Sequence, residues 1–357
     1  MTRTEGRRAR PYSMGRESEV AEGAAPAALW VGVDVGGTNV RAGVEDGQGH
    51  LLSWVSYPHR MAPGQFHAIA EAAASALEEA GAEWADVAGV GVGIAGLIDS
   101  PAGVVMDAGN LGWHGLSLGP ELSRQLGVPV VIENDVCSSA LSELAVLPGG
   151  PALPWLYVSI GTGVGACLVL DADEGRLMCL NVGHLPVPGE SRPCACGKHG
   201  CLETVASGAA FTRAAAERIA ADPGHSLNAD VASLTGKDVV DAALQGDPLC
   251  LEVLAAAGAT CGHAVANLVN LFLPAGVGLA GGMLTPGSPY LVALLDAARD
   301  DIAPWLQAKF QFHCARVGEE AGVKGVVELA RRRLTERARV GAASRGAASS
   351  AVPLTPG

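Results

Sequence analysis

Apolar residues run along this chain in short blocks, cut at intervals by glycine-rich and polar turns. Leu29–Val35 and residues 39–44 are two such blocks on either side of Gly36-Gly37-Thr38. That arrangement predicts a β-hairpin with a glycine-built turn. The design returns in residues 156–170, where Gly161-Thr162-Gly163 cuts the run 125 positions after Gly36. A repeat at that distance implies two related lobes whose turns face each other across a cleft. Between them Phe66, Ile69, Ala73, Leu77 and Ala80 keep helical spacing up to Gly81, which suits a C-cap. Val87–Ile94 and residues 128–132 are continuous apolar runs and are expected to be buried strands. Residues 135–147 read as a helix stopped by Pro148, and residues 205–270 as alanine-rich helices, with a long one over 251–271. Strands and helices therefore alternate, which indicates an α/β architecture.

With 357 residues the chain exceeds one typical domain, so two lobes are expected. Hydrophobic residues make up 49% and charged ones 17%, the balance of a packed protein, and aromatics at 4% leave an aliphatic core. Residues 1–28 and 340–357 lack periodicity and are expected to be unstructured. The net charge is −13, with +5 gathered in residues 331–357 and +1 in residues 1–28, so the body between stands near −19. An acidic body is a poor match for a nucleic-acid backbone. No apolar run near the start reads as a secretory signal. The most apolar stretch, residues 268–284, is broken by Asn270, Pro274 and several glycines, against a membrane span. Nine cysteines fit a reducing cytoplasm. Cys137, Cys167, Cys179, Cys250, Cys261 and Cys314 are scattered among apolar neighbours and expected in the core.

Three other cysteines form a different pattern. His184, Cys194, Cys196 and Cys201 fall within eighteen residues and close on Leu202-Glu203. Four such ligands suit a tetrahedral zinc ion in a structural site. Gly197 and Gly200 allow the loop to fold back so that the sulfurs converge. The alternatives are incidental cysteines or a disulfide. A metal here would staple the loop and hold Glu203 rigidly at its end.

Glycine and threonine turns expose backbone N–H groups and hydroxyls that can wrap phosphate oxygens. Two in repeat, with Asp34 inside the first, point to a nucleotide cleft, where Asp34 would orient Mg²⁺ through water. Glu133-Asn134-Asp135 places polar groups where a strand ends and a helix begins. Helix capping by Asn134 or Asp135, worth about 1 kcal/mol, is the plainer use. The C-terminal edge of a buried strand also favours a ligand site, and Asp135 suits a general base for a hydroxyl.

Several segments together resemble the ROK family of sugar kinases and regulators, of the actin/hexokinase-like ATPase superfamily, over about residues 29–335. They are residues 34–39 (Asp-Val-Gly-Gly-Thr-Asn), 91–99, 110–113 (Asn-Leu-Gly-Trp), 133–135, 161–165, Gly183-His184, the cysteine cluster through Glu203, and 280–283. The resemblance implies a two-lobed, ribonuclease H-like fold with an interlobe cleft and a zinc loop over 184–203. The small lobe would span 29–136 and the large lobe 137–320, with a helix over 321–337 packing back on the small one. It implies ATP and Mg²⁺ in the cleft, a structural Zn²⁺, and phosphoryl transfer to a hexose hydroxyl, usually the 6-OH. Asp135 would take the hydroxyl proton, while Gly96, Asn110, Asn134, His184 and Glu203 bind the sugar. Gly36, Gly37 and Thr38 with Thr162 and Gly163 would hold phosphates, and Gly281 and Gly282 would lie beside the adenosine.

Two positions depart from the family pattern. Asn181 stands where family members commonly carry a sugar-binding Glu, and Ala95-Gly96 stands where Pro-Gly is frequent. Glucose is the first acceptor expected, with an amino sugar such as kanosamine or N-acetylmannosamine as the alternative that Asn181 raises. A homodimer in the cytoplasm is expected, with no nucleic-acid or membrane partner. The other class of reading is a sugar-binding regulator without catalysis. Repressors of the family carry a winged-helix module ahead of the kinase-like body, and a first strand near residue 29 leaves no room for one.

Overall fold

The computed structural model describes residues 28–36, 39–58, 66–109, 111–147, 152–173, 175–309 and 311–349. Its first half comprises β1 (Leu29–Val35), β2 (Asn39–Glu45), β3 (Leu51–Pro58), α1 (His67–Glu79), β4 (Val87–Ile94), β5 (Leu97–Asp99), β6 (Val104–Ala108), β7 (Trp113–Leu116), α2 (Leu118–Leu126), β8 (Val130–Asn134) and α3 (Asp135–Ala145). The second half comprises β9 (Trp155–Ile160), β10 (Val164–Asp171), β11 (Arg176–Leu180), α4 (Glu203–Ala206), α5 (Gly208–Ala220), α6 (Gly236–Leu244), α7 (Pro248–Phe272), β12 (Gly276–Ala280), α8 (Pro289–Asp301), α9 (Pro304–Gln307) and β13 (Phe312–Cys314), followed by α10 (Ala321–Ser349). Two five-stranded sheets have the orders β3-β2-β1-β4-β8 and β11-β10-β9-β12-β13. Each is an antiparallel meander of three strands with two more added parallel to its first strand. The repeated glycine turn is thus the visible part of a repeated sheet.

Local chemistry sets the element ends. The expected strand over 87–94 forms as read. The strand expected over 128–132 starts two residues later, because Gly127 closes α2 in the left-handed region (φ 73°). The long helix begins earlier than 251, at Pro248, with the Asp247 side chain capping the Cys250 N–H. By length and composition α7 could cross a membrane. Its apolar side chains instead fill the core with β9, β10 and β12. Gly258 and Gly262 let α8 approach closely, since a Cβ there would fall 2.2 Å from the Tyr290 carbonyl and 2.3 Å from that of Leu294.

Both halves meet on α3 and α10. The C-terminal helix lies on β1 and β4, where Gly32 and Gly91 face each other in register. A Cβ at Gly91 would stand 2.3 Å from the Val326 carbonyl oxygen. On its other side α10 packs against α3, which also packs on β10. Asp135 is the first residue of α3, so a lobe boundary at 136 cuts into a helix that both halves share.

Two expectations need correction. The tail expected to lose structure at residue 340 stays helical to Ser349, because Ala and Arg are strong helix formers and the next proline is Pro353. Cys314, expected in the core, is exposed at the end of the edge strand β13, and Cys179 is only partly buried. The segments 1–27 and 350–357 lie outside the described residues.

Candidate active site and metal centre

Asp34 sits near the end of β1, and Asp135 begins α3 where β8 stops. Gly93 of β4 brings them together. A Cβ on Gly93 would lie 3.4 Å from Asp34 Oδ1, 3.5 Å from Ser138 Oγ and 3.6 Å from Asp135 Cα. Behind Asp34 stands Gly322 of α10, where a Cβ would fall 2.5 Å from the carboxylate carbon. The carboxylate is thus enclosed by two backbones, and Arg41 Nη1 reaches Asp34 Oδ2 at 3.5 Å.

Burial pushes the Asp34 pKa up to about 6 against the pull of Arg41. For Asp135 it goes up to about 7, through burial first and then the negative charge of Asp34. Protons held in the folded state above the unfolded pKa of 3.8 stabilise most at acid pH, and that contribution is lost as pH rises from about 4 to 7. Activity should run the other way, since a base must be ionised. We expect kcat/KM to fall on the acid side with an apparent pKa of about 7. A limb near pH 4 would mean that the pair is solvated as in a free carboxylate.

Asn134 takes the capping role that its sequence position suggested. Its Oδ1 accepts from the Val136 and Cys137 amides at 3.0 and 3.1 Å, so it caps α3. Its Nδ2 donates to the Gly96 carbonyl at 3.0 Å, tying the Ala95-Gly96 loop to the start of the helix. Gly96 has φ 152° and a Cβ there would meet the Asp107 carbonyl at 2.4 Å, so no other residue fits the turn.

The second glycine turn approaches from the other half. A Cβ on Gly165 would meet Val136 Cγ2 at 2.7 Å, so this hairpin rests on the first turn of α3. Thr162 is exposed on the turn, and Gly163 lies under the Glu203 carboxylate, with its Cβ position 3.1 Å from Oε2. Gly183 lies under the same oxygen at 3.3 Å. Gly281 (φ 150°) packs on the Ile160 carbonyl just before Gly161, and the Gly282 Cβ position is open. Asp34 and Asp135 thus meet at Gly93, the second turn rests on the helix that Asp135 begins, and Gly281 packs on the strand leading into that turn. Gly37, Thr38 and Asn110 lie outside the described residues.

The zinc-loop residues also converge. One ligand atom from each of His184, Cys194, Cys196 and Cys201 lies within 4.8 Å of all the others. Cys196 Sγ and Cys201 Sγ are 3.6 Å apart, and Cys194 Sγ is 3.7 Å from His184 Nδ1. Sulfurs on a tetrahedral zinc, with Zn–S of ~2.3 Å, lie about 3.8 Å apart, so the set fits the ion. A disulfide needs about 2 Å between sulfurs, which excludes that alternative here. The loop folds back through Cys194 N to Lys198 O at 2.8 Å, with Gly197 and Gly200 at φ 84° and 73°. Glu203 Oε1 stands 2.9 Å from Cys194 Sγ and 3.6 Å from His184 Nδ1, and Oε2 faces the glycine turn, so Glu203 bridges the His/Cys cluster and that turn. Asn181 is exposed and reaches His184 only through its backbone, His184 N to Asn181 O at 3.1 Å.

Sequence reasoning gave no role to Gly93, Gly322 or Arg41. The first two act by close approach between distant segments, which no local pattern encodes. Arg41 alone had a signal, a cation on the strand after an acidic turn.

Comparison with known proteins finds relatives over most of the chain. A glucokinase from Halalkalibacterium halodurans is 32% identical over 306 residues, 83% of this chain and 93% of that one. One from Streptomyces coelicolor is 30% identical over 317 residues, covering 85% and 98%. The crystal structure of a ROK family glucokinase from Streptomyces griseus, in complex with glucose and AMPPNP, superposes with a TM-score of 0.74 at 30% identity, covering 85% of this chain and all of that one. The ROK family model matches residues 30–333, and the chain belongs to the ROK family.

Proposed function

We propose that the protein is an ATP-dependent hexose kinase that transfers the γ-phosphoryl group to the 6-hydroxyl of its sugar. The observation that carries this is the pair Asp34 and Asp135 gathered at Gly93 beside a second glycine turn. Its support is that the most similar relatives named above are glucokinases, one of them solved with glucose and a nucleotide analogue.

Asp135 accepts the proton of the attacking hydroxyl. Its raised pKa makes it a stronger base than a free carboxylate while leaving it ionised in a useful fraction near neutrality. Gly36, Gly37 and Thr38 hold phosphate oxygens from one half, and Thr162 and Gly163 from the other. Gly281 and Gly282 flank the adenosine. Bound with the nucleotide, Mg²⁺ would neutralise phosphate charge, and Asp34 would be the carboxylate that orients it through water. The protein's part is positioning and electrostatics, and closure of the two halves excludes the water that would compete with the sugar.

Gly96, Asn110, Asn134, His184 and Glu203 contact the sugar in this reading. His184 turns Nδ1 to the sulfurs, which leaves Nε2 for a hydroxyl. Zinc on His184, Cys194, Cys196 and Cys201 is structural, and its effect on the sugar site runs through the placement of His184 and Glu203. The proposal includes a cytoplasmic homodimer that binds no nucleic acid, in keeping with its acidic body and reduced cysteines.

The acceptor is glucose unless Asn181 redirects it. A Glu in its place would accept charge-assisted hydrogen bonds from neutral hydroxyls, roughly twice as strong as neutral ones. Asn offers one acceptor, two donors and no charge, which suits a modified hexose. The test is kcat/KM for glucose, mannose, N-acetylglucosamine, N-acetylmannosamine and kanosamine, with wild type and Asn181→Glu. We expect glucose to lead, and the Glu variant to improve it by about tenfold, one such bond's worth. If the variant leaves glucose unimproved, Asn181 plays no part in specificity.

A further inference from the structure

We propose that Arg333, on the C-terminal helix, is a positioning residue for phosphoryl transfer and sets the strand-to-helix junction from which Asp135 projects. The inference rests on the kinase reading above. Three consecutive arginines on α10 do not share all their partners. Arg331 reaches Glu45 and Glu328, and Arg332 pairs with Glu328 on its own helix. Arg333 alone crosses to β8. Its Nη2 meets Glu133 Oε2 at 2.8 Å, and its Nη1 donates to Ser100 Oγ.

Each of those partners grips the β8 backbone. Glu133 Oε1 accepts the Asn134 N–H at 2.9 Å, and Ser100 Oγ donates to the Ile132 carbonyl at 2.5 Å. Asn134 in turn caps α3 and holds Gly96. A guanidinium about fifteen residues from the chain's described end thus fixes Ile132, Glu133 and Asn134, the three residues before Asp135. The Glu133 side chain is only 9% exposed, and Arg333 is its one charged partner among the described residues. Removing one member of such a pair leaves a buried charge that pulls its own backbone toward water. A shift of about 1 Å at a reacting group can cost on the order of a hundredfold in rate.

The test is a set of variants assayed at saturating ATP and glucose, with KM and Tm measured alongside. Arg333→Met should lower kcat at least tenfold, with KM for ATP within threefold of wild type. Glu133→Gln keeps the acceptor for the Asn134 N–H but removes the stranded charge. The double variant Glu133→Gln/Arg333→Met should therefore recover kcat to within threefold of Glu133→Gln alone. In an Asp135→Asn background Arg333→Met should cause no further loss. Additive losses in either combination, or a full kcat in Arg333→Met, would overturn the proposal. A purely structural role would lower Tm in Arg333→Met with kcat of the folded fraction unchanged. Asp135→Asn in the same series judges the base assignment separately: high kcat there sinks that assignment, whatever Arg333 does.

Discussion

Asp135→Asn is expected to lower kcat by on the order of 10² to 10⁴, the usual cost of losing a general base. The fold should survive. Asn134 rather than Asp135 supplies the cap of α3, through Oδ1 bonds to Val136 and Cys137. The substitution also removes a carboxylate that burial and Asp34 hold in an unfavourable state. Thermal unfolding at pH 8 should therefore show a Tm equal to or above that of wild type, since the charged form is the one relieved. The KM for glucose should change little if the residue acts on the proton rather than on sugar binding. An Asn variant with near wild-type kcat would show that the proton goes elsewhere.

Cys196→Ser carries the second large expectation. Four ligands at the observed separations should hold about one zinc per chain, and the substitution should empty the site. Structural zinc contributes folding free energy directly, so a loss of a few kcal/mol is expected, a fall in Tm on the order of 10 °C for a chain of this size. Sugar affinity should fall with it. Glu203 and His184 are held at the junction of cluster and glycine turn, 3.6 Å apart. Elemental analysis of active, folded wild-type protein that finds no zinc would rule out a structural zinc at this cluster.

Much of the fold was legible wherever one element is locally self-consistent. Val87–Ile94 is a continuous run of apolar residues and glycines after Asp86 and forms β4 as read. The two glycine hairpins announced the repeat that organises both sheets. The three-stranded sheet β5-β6-β7 gave no such signal. Its strands are short, Leu97 and Met106 are exposed, and Asp99 and Asp107 interrupt any alternation. In the site, motif residues such as Asp34, Asp135 and the cysteines were visible because their chemistry depends on residue type and spacing. Gly93, Gly322 and the Arg333–Glu133 pair were not. Their roles come from contacts across 200 positions in the case of the pair, and from the absence of a side chain in the case of the glycines.

The reaction proposed for the cleft between the two halves is transfer of a phosphoryl group to a sugar hydroxyl. Its most direct test is phosphorus NMR of wild-type protein incubated with ATP, Mg²⁺ and each of the five sugars, with Asp135→Asn as control. A hexose 6-phosphate signal is expected to grow in step with ADP, greatest with glucose or one amino sugar and slowed in the control by on the order of a hundredfold or more. Binding of sugar with no ADP formed would contradict the proposed transfer and leave a sugar-binding regulator as the better reading, and ADP with only inorganic phosphate would contradict it in favour of an ATPase.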